Sequence, residues 1–249
     1  MSLFSFQGKI LLGERLGNGK PGAMTWVGNA PACTVKLSTE STDKTESFSG
    51  NRLQYGRLQK GKTAEIDLTL DEWTLKNIAL GLYGTVLSVV SGTVTGEVLP
   101  PGLVADDIVK LDKSFISALI ITDSTATPVT LPTEKYSLDS ANAGTVKFRD
   151  VGSYTQPFKA AYSYAKADNV TLFTAQPPER YLLLDGTNTE TGEPVIMRLY
   201  RVRFDPLGEL GLIHDDYGDM KLSGSMLYDP TNAADSALGG FGRIEQKGV

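Results

Sequence analysis

The stretch Lys62–Leu70, KTAEIDLTL, sets Ala64, Ile66, Leu68 and Leu70 on one side of an extended chain and Thr63, Glu65, Asp67 and Thr69 on the other. Side chains alternate across a strand, so this pattern predicts an antiparallel strand with one face in a core and one in water. The residues that follow, DEWTLKNIALGLYG, change period. Thr69 and Glu72 have capping-box spacing, in which a hydroxyl and a carboxylate satisfy free backbone N–H groups at a helix start. Leu75, Ile78, Ala79 and Leu82 then recur at helical spacing. They predict one short helix docked on the sheet, with Leu75, Ile78 and Leu82 as its core residues. Gly84 is placed to end it in a left-handed conformation.

Outward from this centre, strand signals dominate. Asp219–Leu227 repeats the alternation, with Met220, Leu222 and Met226 opposite Lys221, Ser223 and Ser225. Pro194–Phe204 is a long β-rich run in which Val195, Met197 and Leu199 share a face that continues into Arg201 and Arg203, as if the strand starts in a core and runs out of it. Thr34–Ser49 is different. Val35 and Leu37 begin an apolar face, but TESTDKTES is polar on both sides. Two-sided polar strands are poorly specified alone. The segment fits either a disordered loop or a strand with one side on a water-filled space and the other on a neighbouring subunit.

From about Asp107 to Thr174 the chain reads as short strands, with Ala141-Asn142-Ala143-Gly144 as a hairpin tip. Val98-Leu99-Pro100-Pro101-Gly102 marks a break before them. The expected organisation is a single domain over 1–249 with a β-rich insertion at about 107–174. The expected fold is mainly β, two packed antiparallel sheets as a β-sandwich or partial barrel, with one flanking α-helix.

Composition narrows the functional classes. At 249 residues, with 41% hydrophobic and 21% charged residues, the chain can bury a full core. A net charge of −5 argues against a surface that grips nucleic acid, although an acidic wall past which nucleic acid slides remains compatible. The one cysteine, Cys33, excludes an internal disulfide and reads as a small core or near-surface residue. No stretch approaches the ~20 apolar residues needed to span a bilayer. MSLFSFQGK lacks the charged start and apolar centre of a signal peptide, so the protein is expected in a reducing cytoplasm or in a particle assembled there.

Sites for chemistry are weak. Gly17-Asn18-Gly19-Lys20-Pro21-Gly22 matches GxGxxG, but the dinucleotide fingerprint works only between a strand and a helix, and no apolar-striped helix follows Gly22. His214 precedes Asp215 and Asp216, yet no G-x-S-x-G elbow accompanies it. Asp215, Asp216 and Asp219 fail the calcium-loop spacing. Asn169-Val170-Thr171 matches a glycosylation acceptor without a secretory context. No catalytic, metal or cofactor site is expected, and the chain does not read as an enzyme.

Several stretches together resemble the major tail tube proteins of long-tailed bacteriophages. They are FQGKILLGER with KPGAMTWVGNA, then ESFSGNRLQYGRLQKGKTAEIDLTLDEWTLKNIALGLYG, EKYSLDSANAGTVKF, and YLLLDGTNTETGEPVIMRLYRVRFDPLGELGLIHDDYGDMKLSGSMLYDP. The resemblance covers most of the chain in the family's order and lies in the combination, because no single piece is diagnostic. Residues 87–114 match nothing in it.

The resemblance implies a non-enzymatic virion protein of a phage tail, assembled in the host bacterial cytoplasm, and the extended middle insertion favours a long non-contractile tail. Hexameric rings would stack into a tube through which viral DNA passes without specific binding. The implied partners are further copies of the chain, a tape measure protein, a tail terminator and baseplate or tip proteins. In that family strands from each subunit join into an inner β-barrel. With strands ~4.8 Å apart and tilted ~45°, each takes about 6–7 Å of circumference, and four from each of six subunits give a backbone diameter of roughly 50 Å. Side chains leave about 35–40 Å, which clears a duplex roughly 20 Å wide. Glu40, Asp43, Glu46, Asp219 and Lys221 are the expected lumen-facing candidates, since they lie on polar faces of candidate barrel strands. The same fold also serves contractile tails, tailocins and type VI secretion tubes, which only a co-purifying sheath separates. A sugar-binding β-sandwich module is the alternative from another class, and it requires a cluster of exposed aromatics.

Overall fold

The computed structural model describes residues 3–176 and 178–247. The strands begin with β1 Phe6–Arg15, β2 Pro21–Trp26, β3 Ala32–Thr45 and β4 Gln54–Leu70, followed by the helix α1, Leu75–Gly81. Short strands come next: β5 Val86–Val89, β6 Gly92–Val98, β7 Ile108–Lys110, β8 Ile116–Thr122, β9 Tyr136–Ser140, β10 Thr145–Phe148, β11 Lys159–Tyr164 and β12 Ala167–Val170. The chain closes with β13 Glu179–Asn188, β14 Pro194–Phe204, β15 Met220–Met226, a short helix α2 at Pro230–Ala233, and β16 Gly242–Gln246. The fold is mainly β, and the strands of its three larger sheets pair antiparallel, as the alternation in the sequence leads one to expect.

The chain divides into two compact units, residues 1–85 with 170–249, and residues 86–169. The second unit thus begins before the Pro100-Pro101-Gly102 break rather than after it. In the first unit one sheet runs β2-β1-β13-β14-β15-β4-β3, with β16 also on β14. Ala64, Ile66, Leu68 and Leu70 are the buried face of β4 and Met220, Leu222 and Met226 that of β15, and these two strands pair from Ala64↔Met226 to Leu70↔Met220. Each fully buried Leu or Ile contributes about 1.5–3 kcal/mol, and a one-residue slip would turn this whole set outward, so their burial fixes the register of the pair. The second unit has sheets β7-β10-β9 and β6-β11-β8 around its own core, where Phe148 and Phe158 stack with ring centres 5.4 Å apart. The Ala141–Gly144 tip joins β9 to β10 as expected, with Gly144 at φ 69°.

Three local expectations are corrected. Thr69 does not cap the helix: β15 holds Thr69 and Leu70 in the ladder, Leu70 is fully buried, and α1 starts later with Thr74 accepting from the Asn77 N–H. The buried face of α1 is Asn77, Ile78, Leu80 and Gly81, because the Asn77 amide donates to Val27 O at 2.8 Å and to Glu72 O at 3.1 Å and turns the helix by about one position. Ile78 is therefore core at 5% exposure, Leu82 is half-buried, and Leu75 is 38% exposed and outside the core. The left-handed residue after the helix is Tyr83 at φ 49°, not Gly84. Gly84 is needed for another reason, since a Cβ there would meet Thr171 O at 1.9 Å.

β14 does not run out of the core either. The ladder to β13 shifts between Arg180↔Val202 and Leu182↔Leu199, so an extra residue lets Leu199 and Val202 both point inward, and Phe204 stays buried.

Candidate assembly surface

The polar segment of the sequence is a strand. β3 pairs with β4 from Ala32↔Thr69 to Thr45↔Gln54, far beyond the core. β15 covers β4 only over Ala64–Leu70, and β3 ends the sheet. The distal part, residues 38–62, is thus a two-stranded arm with both edges without a strand partner among the described residues. Its strand residues are exposed on both faces, apart from half-buried Gly61. A lone hairpin is marginal in water. Beyond its backbone ladder, this one has the Ser38–Thr63 hydroxyl pair at 2.6 Å and a forked contact from Arg57 to Asp43 at 2.7 and 3.0 Å, with Gln54 Nε2 adding 3.0 Å to the same carboxylate. The Arg57 side chain holds the Asp43 carboxyl below its usual range. An ion pair this exposed is screened by water and adds little to stability.

The tip, by contrast, is built. The Glu46 carboxylate accepts from the Ser49 hydroxyl, from the N–H groups of Ser49 and Phe48 at 2.8 Å each, and from Leu53 N–H at 3.4 Å. These donors, the Ser49 hydroxyl foremost, pull the Glu46 carboxyl down to about 2. Gly50 and Arg52 supply the left-handed turn at φ 83° and 52°. The expectation that Glu46 faces a lumen is corrected: it is buried in its own loop, where it satisfies backbone donors that a two-stranded tip leaves free.

The other lumen candidates separate by register. Glu40 opposes Gly61 and Lys221 opposes Thr69, on the face that also carries Lys36, Glu65 and Asp67 and lies opposite the core. Asp43 opposes Arg57 on the other face, so the structure does not bring it together with Glu40. Asp219 precedes β15 and contacts Lys221 at 3.5 Å. Lys221, Asp67 and Thr69 form the sheet side of a cleft of about 820 Å³, and Glu209, His214 and Asp219 belong to the loop over it.

This loop, Asp205–Asp219, is exposed throughout from Gly211 to Asp219, with Leu212 80%, Ile213 93% and Tyr217 99% accessible. His214 Nε2 lies 3.1 Å from Gly211 O. Gly17–Gly22 sits in the β1–β2 hairpin with Gly19 at φ 78°, not at a strand-to-helix junction. Cys33 is exposed on the edge strand.

The family described as Protein of unknown function UCP028589 matches residues 3–245. The chain belongs to that family. No curated protein matches the sequence. In this UCP028589 member, sequence reasoning missed the apolar side chains on the arm: Phe48, Leu53, Tyr55 and Leu58 are all more than 60% exposed, and Phe48 packs edge-on to Tyr55 at 6.1 Å. It also missed Leu212, Ile213 and Tyr217. The available signal was apolar residues in segments too polar to form a core of their own.

Proposed function

We propose that this chain is the structural subunit of a phage tail tube, a protein whose copies join through their sheets and stack into a conduit for viral DNA. One observation carries the reading. The β3–β4 arm extends beyond any core of its own copy, with open edges, exposed apolar side chains and a preformed tip. Exposed edge strands invite pairing with another chain, and closure into a barrel is one way of removing them. Four neighbouring strands, β14-β15-β4-β3, lead to the open edge, the number that the barrel estimate takes from each subunit. The face carrying Glu40, Glu65, Asp67 and Lys221 supplies the polar wall. Its mixed charges favour a surface that passes nucleic acid without holding it. In this reading DNA and the tape measure protein occupy the lumen, and terminator and tip proteins close the ends.

The test is negative-stain microscopy of the purified protein over a range of concentrations, with sedimentation velocity beside it. Rings or tubes with an open centre are expected. A compact monomer at every concentration, also in the presence of tail extracts, would refute the reading.

A further inference from the structure

The arm and the Asp205–Asp219 loop are opposite in charge and lie at opposite ends of β4. Residues 38–62 hold five basic side chains (Lys44, Arg52, Arg57, Lys60, Lys62) against three acidic ones (Glu40, Asp43, Glu46), a net of +2 in a chain of net −5. Within the arm, Asp43 pairs with Arg57 and Glu46 is held by its own loop, which leaves the net at +2 with Lys44, Arg52, Lys60 and Lys62 outside that ion pair. The loop holds Asp205, Glu209, Asp215, Asp216 and Asp219 and no Lys or Arg, a net of −5. Both also expose apolar side chains, Phe48, Leu53 and Tyr55 on the arm and Leu212, Ile213 and Tyr217 on the loop.

Position decides how these can meet. The loop lies over Asp67–Thr69, at one end of β4, and the arm tip follows the other end, before Gln54. At ~3.3 Å per residue the tip is roughly 45 Å from the loop along the strand, so a copy's arm does not reach its own loop. A second copy displaced along the strand direction brings tip and loop together.

We infer that the basic, aromatic arm tip of one copy docks on the acidic Asp205–Asp219 loop of a second copy, in a head-to-tail contact. Such a contact uses two different surfaces, so it propagates from copy to copy. Opposed charge sets its direction, because tip against tip and loop against loop both repel. The inference rests on the assembly reading and adds to it which surfaces meet between layers.

The experiment uses two variants of the full chain. Lys44→Glu with Arg52→Glu reverses the arm, and Asp215→Lys with Asp216→Lys reverses the loop. All four positions are exposed, and circular dichroism with thermal unfolding checks that both variants fold. Each variant alone is expected to raise the concentration needed for stacking by about tenfold or more, since like charges then face each other. An equimolar mixture is expected to recover stacking, because each reversed arm meets a reversed loop and each native arm a native loop. Raising salt should weaken native stacking in the same assay. Variants that stack like the native chain, or a mixture no better than its components, overturn the inference. Rings that persist in the variants while stacks are lost support it. Native protein that forms neither rings nor stacks overturns the assembly reading, and the inference with it.

Discussion

Replacing Ile78 by Ala isolates folding from assembly. Ile78 is 5% exposed and belongs to the core cluster that joins α1 to Ile66, Leu68, Leu222 and Phe204. The change removes three carbons, worth about 2.4 kcal/mol at ~0.8 kcal/mol per buried CH2. A helix of seven residues depends on this packing, and the neighbouring strands are fixed by their ladders, so the cavity stays partly open and the total becomes about 2–4 kcal/mol. Leu75→Ala on the same helix should cost less than about 1 kcal/mol, because Leu75 is 38% exposed and outside the cluster. The assay is denaturant and thermal unfolding at concentrations where light scattering shows single chains. Tryptophan fluorescence reports the first unit alone, since Trp26 and Trp73 are the two tryptophans and both lie there. At about 2–4 °C per kcal/mol for a unit of this size, Ile78→Ala should lower Tm by about 4–16 °C. Equal loss for Ile78→Ala and Leu75→Ala, or none for either, would refute the placement of the helix.

Further outcomes follow from particular contacts. Glu40→Lys, on the exposed polar face, should leave unfolding within about 0.5 kcal/mol of the native chain, as surface changes do; under the proposed tail-tube function it should also alter the passage or retention of DNA, measured by phage infectivity. Asp229→Ala should destabilise the first unit by about 3–5 kcal/mol, because it leaves the Arg15 guanidinium, now 3.0–3.2 Å from a fully buried carboxylate, without its partner and removes the α2 cap; equilibrium denaturation measures it. Glu46 is depressed from its ordinary 4.5 to about 2, so its contribution to the tip is fully present above pH 4.5 and is lost as pH falls through about 2. NMR titration of the Phe48 and Ser49 amide shifts should show that low midpoint, and a midpoint near 4.5 would contradict the carboxylate cap.

The sequence by itself determined the mainly β, antiparallel character of the chain, because alternation at Lys62–Leu70 and Asp219–Leu227 leaves one arrangement in which all the apolar side chains are covered. It also located one helix near residues 75–82 and the hairpin tip at Ala141–Gly144, where local residue chemistry is enough. Tertiary structure decided what local pattern leaves open. Thr69 satisfies a capping pattern and a strand pattern equally well, and only its pairing with β15 selects the strand. Asn77 is unremarkable in the sequence, yet its two bonds to Val27 and Glu72 rotate the helix so that Leu75 leaves the core. The parity of β14 could not be read through Leu199–Val202, since a one-residue bulge reverses every side chain beyond it. Glu40, Asp43 and Glu46 look alike as charges in a polar run; the register with β4 puts the first two on opposite faces, and the closing of the tip buries the third. Each of these depends on a partner distant along the chain or on the ladder register, and neither is encoded in a window of neighbouring residues.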